Sequence, residues 1–200
     1  MHAAIVLCGG ESTRMGVSKA MLPFGPETML QRVVRIVREV VTSVVVVAAD
    51  GQPLPELPTD VIVVRDERPG RGPLEGLRAG LKALPATVDA AYVTSCDVPL
   101  LEPAFIRQML EFAESHDVAV VEIDGYTHPL SAVYRRTVLP HVEDLLATDR
   151  LRLAFLLDRV DARRVRREEI KADPELRTLR NVNTREDYER TLSDSEYGTR

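Results

Sequence analysis

Leu7-Cys8-Gly9-Gly10-Glu11-Ser12-Thr13-Arg14-Met15-Gly16-Val17-Ser18-Lys19 follows without a break on the apolar run Ala3–Cys8. A continuous β-branched run that stops at paired glycines predicts a central strand breaking into a loop where only glycine tolerates the backbone geometry. Loops at the carboxyl ends of strands in α/β sheets are where ligands bind. Gly9, Gly10 and Gly16 let successive backbone N–H groups approach phosphate oxygens, and Arg14 and Lys19 bring two cations to the same loop. A triphosphate is the guest this chemistry suits. Two familiar phosphate loops fail on spacing. Lys19 is followed by Ala20 rather than by Ser or Thr, and adjacent glycines do not make G-x-G-x-x-G, so neither a P-loop nor a dinucleotide fingerprint is present.

Outward from this loop, short β-branched runs alternate with helical periods, the signature of a parallel sheet covered on both faces. The expected fold is a three-layer α/β/α sandwich with a mostly parallel, Rossmann-like sheet and a short antiparallel excursion. Residues 28–41 carry Met29, Leu30, Val33, Val34, Val37, Val40 and Val41 at helical spacing, with Gln31, Arg32, Arg35, Arg38 and Glu39 on the polar side. Val44–Val47, Val61–Val64, Ala90–Thr94, Val118–Val121 and Ala162–Val165 read as strands. Leu74–Leu84, Thr137–Ala147 and Leu151–Arg159 read as helices, as does a segment opened by Pro103. Asp124-Gly125 is a hairpin signal and places the antiparallel excursion between Glu122 and Tyr134. Thr184, with Asp187 three residues on, predicts a capped terminal helix. One domain over 1–193 and a frayed tail over 194–200 complete the expected organisation.

Composition limits the partners. The 200 residues include 26 Lys and Arg against 31 Asp and Glu, a net charge of -5, so no global basic field draws nucleic acid or an anionic membrane. The longest apolar stretches, such as Val44–Ala49, fall well short of the roughly 20 residues of a membrane span, and the N-terminus lacks a signal-peptide pattern, which predicts a cytoplasmic protein. Cys8 and Cys96 lie in strand-like apolar contexts that suit reduced, buried thiols. The methionines Met15, Met21, Met29 and Met109 read as core fillers.

With this loop the chain resembles the nucleotidyltransferases that attach a nucleoside monophosphate to the molybdenum cofactor, the MobA-type guanylyltransferases. The resemblance continues through Asp66, Arg71-Gly72-Pro73-Leu74-Glu75-Gly76, Ser95-Cys96-Asp97-Val98-Pro99, His128-Pro129 and Asn181-Val182-Asn183-Thr184. These matches run in order over nearly the whole chain. They imply an Mg²⁺-dependent transfer of GMP from GTP to the terminal phosphate of molybdenum-molybdopterin, with release of pyrophosphate and formation of the guanine dinucleotide cofactor. By the same resemblance Leu7, Cys8, Gly9, Gly10, Lys19, Asp66 and Asp97 bind the nucleotide. Arg14, Lys19 and Asp97 are catalytic, Asp97 is the metal ligand, and Asn181 and Asn183 hold the pterin. GTP and the molybdopterin cofactor are the implied small-molecule partners, apo-molybdoenzymes or other cofactor-biosynthesis proteins the implied macromolecular ones, and a monomer the implied state.

Each assignment has a plain structural competitor. Asp97 could cap the helix near Pro103, Asp66 could pair with Arg65, Arg68 or Arg71, and Asn181 and Asn183 could satisfy a loop. The sequence also departs from the family pattern: Cys8 stands where relatives carry Ala, Ser18 where many carry Asp, and Ala49-Asp50 where many place an asparagine on the nucleotide. Alternative functions are a CTP-dependent molybdenum cofactor cytidylyltransferase, another nucleotidyltransferase of the same fold, and a non-catalytic cofactor-delivery module. The paired glycines favour guanine among these by family analogy.

Overall fold

The computed structural model describes residues 2–9, 18–66, 68 and 70–197. Strand β1 (His2–Leu7) is the middle of the parallel portion of the main sheet, and β4 (Ser43–Ala48) and β6 (Ala90–Ser95) flank it in parallel register. β5 (Ile62–Arg65) extends the β4 side. Beyond β6 lie β8 (Tyr126–Arg135), β7 (Val118–Ile123) and the edge strand β9 (Ala162–Arg166), giving the order β5-β4-β1-β6-β8-β7-β9. β8 is antiparallel to both of its neighbours, so it alone runs against the other six strands. The expected antiparallel excursion is therefore a ten-residue interior strand. It is reversed by the hairpin turn at Asp124 (φ 51°) and Gly125 (φ 80°), where both central residues are left-handed as a type I′ turn requires.

Alternation along β1 sorts its side chains onto two cores. Ala4, Val6 and Cys8 face a cluster with Leu30, Val33, Val37 and Phe105, supplied by α1 (Met29–Arg38) and α3 (Pro103–Phe112). Ala3, Ile5 and Leu7 face Leu74, Leu77 and Leu81 of α2 (Gly72–Ala83), with α4 (Leu139–Ala147) and α5 (Ala154–Leu157) on the same side. Two glycines let α2 lie close on β1: a Cβ at Gly80 would fall 2.5 Å from Ile5 Cγ2, and one at Gly76 would fall 3.2 Å from Leu7. Gly76 thus excludes a side chain for the sake of the sheet, whereas Gly72 meets open space and is needed for its φ of 68°.

A third, smaller core lies outside the sheet. Gly25 (φ 65°) turns a two-stranded hairpin, β2 (Pro23–Phe24) and β3 (Glu27–Thr28), in front of α1. Phe24 and Met29 pack there with Val182, Tyr188, Leu192 and Tyr197, contributed by the C-terminal helix α6 (Arg185–Ser193) and its flanks. Thr184 caps α6, accepting from Asp187 N, as its sequence predicts. The polar face of α1 differs from expectation at one position. Arg32 is 5% exposed, because the chain after α6 covers it. The segment expected to fray packs against the body through Tyr197, held by Glu196 on Arg32 and by the Tyr197 ring against Phe24; residues 198–200 lie outside the described residues. Among the described residues no helix is long and apolar enough to cross a membrane.

Candidate active site

β1 and β6 end side by side, Leu7 opposite Ser95, and Cys96 N donates to Leu7 O at 3.1 Å. The residues just past these ends therefore share one edge of the sheet. Asp97 stands two positions beyond β6, its side chain 12% exposed, and Lys19 arrives at the start of a single 3-10 turn after the glycine loop. Lys19 Nζ donates to Asp97 Oδ2 at 2.7 Å and to Asn183 Oδ1 at 2.7 Å. The other carboxylate oxygen, Oδ1, accepts from Ser95 Oγ at 2.5 Å and from Asn181 Nδ2 at 3.4 Å. Between the two asparagines, Val182 N donates to Asp97 O at 2.8 Å. Asn181 and Val182 thus close on the turn holding Asp97, with one side-chain and one backbone bond, while Asn183 takes a bond from Lys19.

These contacts bear on the plain structural competitors. Asp97 does not accept from the first turn of α3, whose N-cap is Glu102; it faces Lys19. Asn181 and Asn183 do more than satisfy their own loop, since both reach the Lys19–Asp97 pair. Asp66, half-buried, follows β5, where Asp66 N donates to Ala48 O at 2.8 Å. Its Oδ1 accepts from Arg68 N at 3.0 Å, a local turn contact, and among the described residues its second oxygen has no hydrogen-bond donor. Arg14 and Gly10 lie outside the described residues. His128 is half-buried in β8 opposite Val121, and desolvation pushes its pKa down.

One residue the sequence reading passed over organises the neighbouring loop. Gln52 Oε1 accepts from Ala49 N at 3.0 Å, while Nε2 donates to Cys8 O at 2.8 Å and Ser18 Oγ at 3.1 Å. Arg65 adds bonds to the carbonyls of Ala49 and Gln52. Gln52 therefore joins the end of β4 to both ends of the glycine loop, across the place where an asparagine was expected. Gly9 lies close under this turn, as a Cβ there would fall 3.2 Å from Ala49 N, a tight contact. Ser18 serves as an acceptor for Gln52, and the position of Lys19 is set by Asp97 and Asn183. The only sequence signal for Gln52 was its place in a proline-rich loop after a strand end.

The thiols are structural. Cys8 and Cys96 are both buried and free; burial pushes the Cys8 thiol up to about 12 and the Cys96 thiol well above its usual range. Neither is a nucleophile at neutral pH. Among the described residues no three His, Cys, Asp or Glu side chains gather as a metal cage. A cation here would depend on Asp97 and oxygen donors brought by substrate.

The chain matches the MobA-like NTP transferase domain over residues 4–164. The probable molybdenum cofactor guanylyltransferase of Mycobacterium tuberculosis is 41% identical over 186 residues, covering 91% of this chain and 89% of its own length. The protein of the same description from Mycobacterium avium is 39% identical over 189 residues, 92% of both chains. A molybdopterin-guanine dinucleotide biosynthesis protein A from Archaeoglobus fulgidus superposes with a TM-score of 0.81 over 97% of this chain and 98% of its own, at 21% identity, which shows the shared fold. A Mycobacterium tuberculosis protein crystallised with manganese has a TM-score of 0.64 at 18% identity, over 97% of this chain and 99% of its own. With its motifs in family order and its sheet edge carrying them, the chain belongs to the MobA-like NTP transferase family.

Proposed function

We propose that this protein is a molybdenum cofactor guanylyltransferase, passing GMP from GTP to the terminal phosphate of molybdenum-molybdopterin. The observation that carries the reading is the meeting of Lys19, Asp97 and Asn183 at the sheet edge where β1 ends. The names of relatives about 40% identical over nine-tenths of the chain support the same substrates.

In the reaction a terminal phosphate oxygen of molybdopterin bonds to the α-phosphorus of GTP, the bond from that phosphorus to the α,β-bridging oxygen breaks, and pyrophosphate leaves. The nucleophile is already an ionised phosphate, so no protein base is required. What the reaction asks of the protein is alignment and charge neutralisation. Lys19 is the cation at the end of the loop and would move its ammonium from Asp97 to the triphosphate. Asn183, which accepts from Lys19, and Asn181, which donates to Asp97, keep the two groups aimed at one spot. Arg14 is the second loop cation. Asp66 takes ribose hydroxyls or the donor edge of guanine with its available oxygen. Asn181 and Asn183 lie at the acceptor side, where the pterin phosphate would enter.

The donor set fits Mg²⁺, a hard ion that takes one or two carboxylates and completes its shell with phosphate oxygens and water. Asp97 would hold it, with the oxygen of Asn183 beside it. When bound, the ion supplies positive charge to the non-bridging oxygens of the reacting phosphates.

The test is pyrophosphate release from GTP, CTP, ATP and UTP in turn, with Mg²⁺ and molybdenum-loaded molybdopterin. Release with GTP alone is expected. Release with CTP alone would make the protein a cytidylyltransferase, and binding of the cofactor without release from any nucleotide would leave a delivery module.

A further inference from the structure

Arg32 is the most enclosed cation among the paired arginines of the described residues, and two of its three partners come from distant parts of the chain. Its Nε donates to Pro99 O at 2.6 Å, and its terminal nitrogens form a two-point bridge to Glu196 at 2.7 and 2.8 Å. Glu27 approaches NH1 at 3.4 Å. The guanidinium also stacks near the rings of Phe24 and Tyr197, 4.9 and 5.4 Å from their centroids.

The partners at the two ends belong together. Pro99 is two residues past Asp97 in the same turn, and Glu196 lies at the far end of the C-terminal segment whose near end, Val182, donates its N–H to Asp97 O. The chain thus makes a closed ring: from Asp97 to Val182, along α6 to Glu196, across Arg32 to Pro99, and back to Asp97. Gly25 leaves room for this closure, since a Cβ there would fall 2.5 Å from the Tyr197 ring. Tyr188 Oη on Pro23 O, and Arg177 and Arg180 on Asp194, fix the course of α6 but do not reach the Asp97 turn. Arg177, which bonds Asp194 O, also reaches Glu102 at 3.5 Å, beyond the turn at the start of α3; among the described residues the Arg32 guanidinium is what bonds the tail to Pro99 itself.

We propose that Arg32 is a positioning residue for phosphoryl transfer. By tying the Asp97 turn to the C-terminal tail, it holds Asn181 and Asn183 on the Lys19–Asp97 pair. The planar fork is what the geometry requires, as it serves a backbone carbonyl on one edge and a carboxylate on another, and an ammonium cannot span both. The inference deepens the guanylyltransferase reading and rests on it for its kinetic half.

The experiment compares wild type with R32K, which keeps the buried charge, and E196Q, which keeps the shape of a half-exposed side chain. Amide exchange at Val182 reports the bond to Asp97 O, and pyrophosphate release from GTP reports the chemistry. Both variants are expected to speed exchange at Val182 by about tenfold or more, with exchange in β1 and β4 unchanged. The kcat should fall about tenfold while KM for GTP stays within about threefold. Unchanged Val182 exchange in both variants overturns the proposal, as does faster exchange with native kcat. If R32K does not fold, E196Q decides alone. If wild type releases no pyrophosphate from GTP, the guanylyltransferase reading fails, and the exchange comparison still decides whether Arg32 couples tail to turn.

Discussion

Lys19 and Asp97, 78 positions apart, meet at 2.7 Å with the ammonium on the very carboxylate oxygen that a cation would seek. Without ligand the pair neutralises itself. In the proposed reaction substrate and metal would separate it, so each half would gain a new partner only when the other does. This favours binding of metal and triphosphate together over binding of the metal alone.

That relationship predicts the behaviour of Lys19→Met. Removing the ammonium frees Asp97 from its competitor, so Mn²⁺ alone, followed by its paramagnetic resonance signal, should bind the variant more tightly than wild type. Turnover should fall about 10²–10³-fold, the usual cost of one preorganised donor. Weaker Mn²⁺ binding in the variant would contradict the competition.

Asn183→Ala removes an acceptor from Lys19 while leaving the ion pair in place. The Lys19 side chain is 19% exposed, so solvent can replace part of the lost bond, and the melting temperature should hardly change. Turnover should fall about tenfold through misdirection of the ammonium. A loss confined to KM for the pterin would instead mark Asn183 as a substrate contact only.

Gly80→Ala tests the packing of α2 on β1. Helix propensity alone would favour alanine by about 1 kcal/mol. The new methyl would sit 2.5 Å from Ile5 Cγ2, and Ile5 is fully buried with no room to yield. Overpacking of this kind costs about 1–3 kcal/mol, so urea unfolding should show net destabilisation. Adding Ile5→Ala should cost less in the Gly80→Ala background than in wild type, because the second change removes the clash.

Cys8 and Cys96 should resist alkylation at pH 8 in the folded protein and react fully in denaturant. With the Cys8 thiol pushed up to about 12, the reactive thiolate is roughly one part in ten thousand at that pH. Rapid labelling of the native protein by iodoacetamide, counted by mass, would show the strand ends opening.

What the sequence disclosed depends on how local its cause was. The end of β1 at Leu7, the Asp124-Gly125 hairpin and the Thr184 cap each have their reason within a few residues, and all could be read before any coordinates. The reach of β8 could not, because a ten-residue strand between β6 and β7 is decided by which neighbours it pairs with. Arg32 stood in the right place for a solvated helix face, and its burial comes from Glu196, 164 positions away. Gln52 likewise carries no local signal of its role, which comes from Cys8 and Ser18 being brought to its amide. Asn181 and Asn183 were singled out by family resemblance as pterin contacts; their bonds to Asp97 and Lys19 are non-local facts that no spacing carries.

Acid should release the tail, and the sign follows from Glu196. Its carboxyl is held down to about 2 by the Arg32 guanidinium, with Arg35 adding positive charge nearby, whereas an unfolded glutamate titrates near 4.3. A carboxylate with a depressed folded pKa contributes its full stabilisation above about pH 4.3 and loses it as pH falls through about 2. Glu27 also faces Arg32 and shares its charge with Arg35, so part of the cluster survives when Glu196 is protonated. Because the Glu196 side chain is 54% exposed, solvent screening keeps the contribution modest. The Glu196 carboxyl carbon, followed by nuclear magnetic resonance, should titrate near pH 2, and exchange at Val182, corrected for intrinsic rates, should begin to rise only below about pH 4. In E196Q that rise should be much reduced between pH 4 and 2. A Glu196 midpoint near 4.3 in the folded protein would mean that the bridge to Arg32 does not form in solution.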